Sequence, residues 1–142
     1  LLYGLKDIFI HEIYKIDLIN NARIIDCGGH IGLSAIYLKS QHPTANITVF
    51  EPDEKNFQLL KRNILSQGYH DIELKQAAIW TENTTLNFRS EGSMSSKVVK
   101  SDEPEAGLVK AVRLKEFLTT ETDLLKLDIE GAEFNVYLPD SN

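Results

Sequence analysis

Four short runs that are rich in apolar and β-branched residues stand out along the chain. They occupy residues 24–27, 47–51, 72–79 and 124–128. Runs of four to eight residues match the usual length of strands and are too short for most helices. The pattern therefore predicts four strands.

Helical spacing of apolar residues fills the intervals between the first three runs. Residues 33–41 are predicted to form a helix that ends before Pro43, because proline removes a backbone donor. A second helix is expected to start after Pro52, with Asp53 as its N-cap, and to continue as far as Gly68.

The other segments carry weaker signals. Residues 5–19 mix apolar and charged positions, which allows a short strand followed by a helix, and periodicity does not decide between the two. Residues 84–99 are predicted to form a hairpin or an extended excursion. A short strand is expected at 109–112 and a brief helix at 114–118, and a further helix begins at 131–133.

The alternation of predicted strands and helices indicates an α/β protein with a Rossmann-like, doubly wound, mostly parallel sheet and helices on both faces. Its 142 residues fit a single domain, 1–142, in which 1–22 form an N-terminal lead-in. The sequence starts at Leu1 and stops soon after the last predicted strand. We therefore expect the chain to be truncated at its C-terminus, with the final strands of the sheet absent.

Composition excludes several classes of protein. The net charge is −6 with no block of Lys or Arg, which argues against a nucleic-acid partner. No apolar run approaches the ~20 residues of a membrane span. The single cysteine, Cys27, leaves no internal disulfide and no cysteine-built zinc site, and a free thiol together with the lack of a signal-peptide pattern predicts a cytoplasmic location.

The first strand runs into a glycine-rich turn. Ligands of parallel sheets bind at the carboxyl ends of the strands, where glycines let the backbone approach a ligand and the next helix offers free N–H groups. The spacing is Asp26-x-Gly28-x-x-x-Gly32, and His30 occupies the place where a dinucleotide-binding turn needs a glycine. A pyrophosphate would be crowded here, whereas a ligand without phosphate would not, although glycines also occur in purely structural turns.

Two further strand ends carry candidate groups. Glu51 follows the second strand, 25 positions after Asp26, where a carboxylate can accept both hydroxyls of a ribose. Its alternative role is that of a solvated residue that helps to cap the helix at Pro52. Gln76 and Ala77 fall within the third strand and suit the edge and face of an adenine.

The fourth strand ends in a cluster of acids. Asp128, Glu130 and Glu133 lie within six residues, and strand alternation places the first two on one side. They could act as a general base, bind a sulfonium or amine, or coordinate a metal, while Glu133 could equally cap the next helix. His30 is a second candidate base, although a turn histidine that donates to the backbone is the favoured interpretation.

Together these segments resemble the FkbM family of S-adenosylmethionine (SAM)-dependent methyltransferases, which belong to class I. The matching stretches are IIDCGGHIGLSAIYL (24–38), VFEPDEKNFQLLKRNI (49–64), QAAIWTENTTLNF (76–88) and LLKLDIEGAEFNVY (124–137). The pattern K-x-D-x-E-G-A-E is the family-specific part. Gly29-His30 departs from the more usual Ala-Asn of the family.

The resemblance implies SAM as the cofactor and a hydroxyl of a sugar, polyketide or related small molecule or glycan as the methyl acceptor. No metal-binding residue is assigned, and a metal requirement stays open. Asp128 and Glu130 are the catalytic candidates. The turn lies against the amino-acid part of SAM, Glu51 holds the ribose, Gln76 and Ala77 lie near the adenine, and Asp128 lies near the amino-acid and methyl end. The implied cofactor-binding residues are Asp26, Gly28, Gly29, His30, Gly32, Glu51, Pro52, Gln76, Ala77 and Asp128.

Two alternatives stay open at this point. An NAD(P)-dependent oxidoreductase would also use Glu51, but the glycine spacing disfavours it. A truncated, non-catalytic nucleotide-binding module would fit a chain without its last strands. The oligomeric state is not indicated.

Overall fold

A computed structural model describes residues 2–89, 97–98, 107–118, 121–129 and 136. Three helices and eight strands form in this part of the chain, with one turn of 3-10 helix. The helices are α1 (Leu2–Phe9), α2 (Leu33–Gln41) and α3 (Glu54–Ser66), and the 3-10 turn is Leu114–Glu116. The strands are β1 (Arg23–Cys27), β2 (Asn46–Phe50), β3 (Glu73–Lys75), β4 (Ala78–Trp80), β5 (Thr84–Arg89), β6 (Lys97–Val98), β7 (Gly107–Arg113) and β8 (Leu124–Leu127).

The central sheet is parallel, with strand order β3-β2-β1-β8. Its register sets Asp26 opposite both Val49 and Lys126, and Cys27 opposite Phe50 and Leu127. The carboxyl ends of β1, β2 and β8 are therefore level with one another. The predicted α/β fold with a mostly parallel sheet is confirmed.

Apolar residues cover both faces of the central sheet. On one face, Ile24 of β1 packs with residues of α2 and α3, including Leu38 and Leu60. On the other face, Ile25 and Phe50 pack against β4, β7 and the 3-10 turn. Among the described residues, helices thus cover one face and a second sheet lies against the other.

This second sheet has the order β4-β7-β5-β6. Strands β4 and β7 are parallel, whereas β5 is antiparallel to both β6 and β7. The predicted hairpin at 84–99 corresponds to β5 and β6. The predicted strand at 72–79 is in fact two strands, because the chain leaves the central sheet at Gln76-Ala77 and continues in the second sheet as β4.

The N-terminal segment begins with helix rather than strand, and the described residues 10–22 contain no strand. Phe9 packs edge-on against Tyr37 of α2, which holds α1 on the domain. The helix expected from 131–133 lies outside the described residues. No helix in the described part of the chain has the length and apolar character needed to cross a membrane.

Candidate active site

The turn after β1 fits tightly against the ends of the neighbouring strands. The N–H groups of Gly28 and Gly29 both donate to the carbonyl of Phe50 at 2.9 Å. Gly28 has φ +86°, and a Cβ at this position would overlap the backbone carbonyl of Asp128. Only glycine adopts this φ readily and also fits against that carbonyl. Gly28 therefore allows the ends of β1, β2 and β8 to lie close together.

The other two glycines shape the turn differently. A Cβ on Gly29 would overlap the core side chains of Val49 and Leu60, so this glycine allows the turn to lie on the core. Gly32 is the N-cap of α2 with φ +93°. Gly28 and Gly29 line the cavity described next, and Gly32 does not.

A cavity of about 290 Å³ opens at the carboxyl ends of the central strands. This volume is close to the lower end of the range typical of small-molecule sites. Its wall combines the glycine turn, the ends of β2 and β8, the start of β4 and the N-terminal segment. The lining residues include Ile8, Tyr14, Gly28, His30, Ser34, Phe50, Glu51, Pro52, Ala77, Ile79, Phe88, Lys126 and Asp128.

Glu51 is the most buried carboxylate of the cavity wall, with 5% of its surface exposed. Its two oxygens accept backbone N–H groups from His30 at 2.8 Å and from Asp53 at 2.9 Å. Burial raises the pKa of Glu51 to about 7, and the two N–H groups only partly offset that effect. The Asn56 side chain also acts on this carboxylate as a hydrogen-bond donor, and Glu51 lines the cavity where a ligand hydroxyl can approach.

His30 lies between Glu51 and the end of β8. Its φ of +48° is unusual for a residue with a side chain, and asparagine and histidine tolerate it better than most. Burial lowers the pKa of the imidazole, so the half-buried ring is neutral at neutral pH. Its backbone N–H donates to the Glu51 carboxylate, whereas the favoured interpretation was a histidine that donates to the backbone, and His30 lines the cavity.

Asp26 does not line the cavity. Strand alternation places it on the helix-covered face of the sheet with Ile24, where Ser34 donates to Oδ2 at 2.5 Å. Lys126, its neighbour across the sheet, donates to Oδ1 at 2.9 Å. Asp26 is fully buried and both of its oxygens are occupied, so it supports the turn from beneath.

The remaining candidate residues from the sequence analysis differ in whether they line the cavity. Asp128, Pro52 and Ala77 line the cavity, and the Asp128 side chain is exposed. Gln76 is exposed outside it and donates to Glu54 at 3.4 Å, because the chain turns away from the central sheet at this residue. Glu130 lies outside the described residues.

Two lining residues carry no role in the sequence interpretation. Lys126 belongs to the K-x-D stretch, and strand alternation with Asp128 could have indicated that both approach the same cavity. Tyr14 belongs to a segment with no decisive periodicity, and its approach to the cavity depends on tertiary packing alone. No described group of three or more His, Cys, Asp or Glu side chains is placed to hold a metal ion.

The model of the methyltransferase FkbM domain family matches residues 26–141, from Asp26 of β1 to beyond the end of β8. The chain belongs to this family. The expected FkbM resemblance is confirmed, and membership of a methyltransferase family implies SAM as the cofactor. The buried Glu51 carboxylate and the glycine turn, which face one cavity, fit such a nucleoside-bearing ligand.

Relatives of this FkbM domain include two curated fungal proteins. Methyltransferase 1 of Beauveria bassiana (strain ARSEF 2860) is 27% identical over 92% of this chain and 64% of its own length. Methyltransferase sdnD of Sordaria araneosa is 28% identical over 92% of this chain and 65% of its own length. The chain thus spans just under two thirds of these relatives.

A solved structure shows the same fold. The methyltransferase FkbM from Methylobacillus flagellatus KT superimposes with a TM-score of 0.64 over 92% of this chain and 32% of that chain, at 18% identity. The class I methyltransferase fold expected from the sequence is therefore confirmed.

Proposed function

We propose that this protein is a SAM-dependent methyltransferase that transfers a methyl group to a hydroxyl of a small molecule or glycan. The observation that carries the proposal is the arrangement around Glu51. Its buried carboxylate is held by two backbone N–H groups at the rim of a cavity that also contains the glycine turn and Asp128. Such a carboxylate suits the two hydroxyls of a ribose.

Each part of SAM has candidate partners in this cavity. Glu51 and Pro52 would hold the ribose, Ala77 would lie near the adenine, and the turn at Gly28 and Gly29 would face the amino-acid part. When bound, SAM supplies a methyl group activated by its positive sulfur. The protein then has mainly to exclude water and align the acceptor with that carbon.

Asp128 is the described residue best suited to act as a general base. It follows β8 directly, lines the cavity and is exposed enough to meet an acceptor. A hydroxyl is a poor nucleophile, so removal of its proton during attack assists transfer. Glu130 is a second candidate on sequence alone. The proposal includes a cytoplasmic location, supported by the single unpaired Cys27.

Once an acceptor is known, Asp128→Asn tests the role of this base. We expect turnover to fall by about 10²–10⁴-fold, the usual contribution of a general base, with little change in the free energy of unfolding. Equal losses of turnover and stability would point to a structural role instead.

Calorimetric titration tests the cofactor directly against the NAD(P) alternative, which the sequence left open and which membership of the methyltransferase family argues against. We expect heat on addition of SAM or of its product S-adenosylhomocysteine (SAH), and none with NAD or NADP, because the side chain at His30 lines the cavity where a pyrophosphate needs a bare glycine. Heat with NAD only would refute the proposal.

A further inference from the structure

Beneath the cavity lies a buried cation. The side chain of Lys126 is 10% exposed, and its ammonium donates to Asp26 Oδ1 at 2.9 Å and to the Gly28 carbonyl at 3.0 Å. Described residues thus accept two of its three N–H donors. Lys126 lines the cavity, whereas Asp26 does not, and Ser34 occupies the other oxygen of Asp26.

Lys126 keeps its charge in this setting. Burial acts to lower its pKa, but the charge of Asp26 and the hydrogen bond to it outweigh burial, so the pKa lies above the usual value. The ammonium is therefore a permanent donor at the β1 and β8 end of the site.

Tyr14 lies against this cation. Its ring centroid is 5.9 Å from Lys126 Nζ, and the half-buried side chain lines the cavity. Burial raises the pKa of the phenol, which stays protonated. Its hydroxyl makes no hydrogen bond with another described residue, so an O–H donor is available beside the ammonium.

These donors lie where the amino-acid part of the cofactor should end. The sheet order β2-β1-β8 means that a ligand with its ribose at Glu51 extends across the glycine turn toward β8. An α-amino acid carries one positive and one negative group. Asp128 at the tip of β8 suits the ammonium, and a carboxylate needs a separate cluster of donors.

On the basis of the proposed function, we propose that Lys126 and Tyr14 bind the α-carboxylate of the cofactor's amino-acid part. Tyr14 lies outside the residues matched by the family model, which begin at Asp26. The N-terminal segment therefore contributes to cofactor binding and is more than a lead-in to the domain.

Calorimetry with two probes tests this subsite. SAH carries the amino acid, and 5′-methylthioadenosine has the same nucleoside and thioether sulfur without it. We expect Tyr14→Phe to weaken SAH binding about tenfold, as for a lost hydrogen bond to a charged group, and to leave methylthioadenosine binding within twofold. The matched control is Tyr69→Phe, a half-buried tyrosine outside the cavity, which should change neither.

A second variant tests the ammonium. Lys126→Met alone would leave the Asp26 carboxylate buried and unpaired, so the double variant Lys126→Met/Asp26→Asn removes the pair as a unit. With folding verified by circular dichroism, we expect it to lose at least tenfold in SAH affinity and to keep its affinity for methylthioadenosine. An equal loss for both probes, or no loss in either variant, would overturn the carboxylate assignment and leave the proposed function intact. A wild-type protein that binds neither probe would overturn both.

Discussion

Glu51 is almost fully buried, yet it lines the cavity and both of its oxygens accept backbone N–H groups. We predict that Glu51→Ala weakens SAM binding by about 1–3 kcal/mol, the scale of a hydrogen bond to a charged group. Calorimetry measures the change, with the exposed Glu54→Ala as control. An unchanged dissociation constant for Glu51→Ala would refute the ribose assignment.

The same carboxylate makes folding depend on pH. Its pKa is about 7 in the folded protein against 4.5 for an ordinary glutamate. The folded state therefore binds more protons than the unfolded state between those values, and the free energy of unfolding falls as pH rises through this window. We predict that Glu51→Ala gains about 2–3 kcal/mol relative to wild type between pH 5 and pH 8.

Urea unfolding of both proteins at a series of pH values measures that difference. A constant gap across the range would show that Glu51 has an ordinary pKa.

Single residues also show where sequence interpretation stops. The position of Glu51 after a strand could be predicted because strand ends meet at one edge of a parallel sheet. The orientation of Asp26 could not, because its partner Lys126 is 100 residues away and only the sheet register brings them together. A motif gives only the order of residue types, whereas the contact between Asp26 and Lys126 arises from the pairing of two strands that are distant in sequence.

At the scale of one element, the glycine turn should tolerate little change. Gly28 and Gly68 have similar positive φ values, but a Cβ meets the Asp128 carbonyl at the first and open space at the second. We predict that Gly68→Ala costs about 1–2 kcal/mol from backbone strain alone, and that Gly28→Ala costs at least about 2 kcal/mol more. Denaturant unfolding compares them, and equal costs would contradict the close packing of the turn on β8.

Helix α3 depends on its cap. The Asp53 side chain accepts the N–H of Asn56 at 2.9 Å, as the N-cap prediction required. We predict that Asp53→Ala lowers the free energy of unfolding by about 1 kcal/mol, whereas Asp53→Asn retains the acceptor oxygen and most of the stability. If the two variants were equally destabilised in urea, charge rather than capping would be responsible.

Elements with strong local signals could be predicted from sequence, and others could not. Helices α2 and α3 have proline and capping signals at their ends, and β1, β2 and β8 are rich in apolar residues. The break at Gln76-Ala77 lies inside the predicted strand 72–79, where no proline or glycine marks it, and the pairing of β4 with β7 divides the segment. The sequence leaves the conformation of residues 5–19 undecided, and in the structure α1 packs on α2 through Phe9 and Tyr37.

At the scale of the whole molecule, ligand binding should raise the free energy of unfolding. A ligand that binds only the folded state adds about 2.7 kcal/mol to the free energy of unfolding when present at 100 times its dissociation constant. We predict this gain for SAH in urea titrations. No gain at millimolar SAH would favour the non-catalytic module.

The pairing of β1 with β8 has a consequence for synthesis on the ribosome. When translation has passed β3, the nascent chain already holds the glycine turn and Glu51, but the counter-ion of Asp26 has not yet been made. We therefore expect β1 to be stable in the middle of the sheet only after β8 has been made, because burying Asp26 without its counter-ion is costly. A polypeptide that ends between β7 and β8 would keep Glu51 for the ribose but would lack Lys126, the proposed partner of the cofactor's amino-acid part. SAH affinity would therefore report whether β8 has joined the sheet.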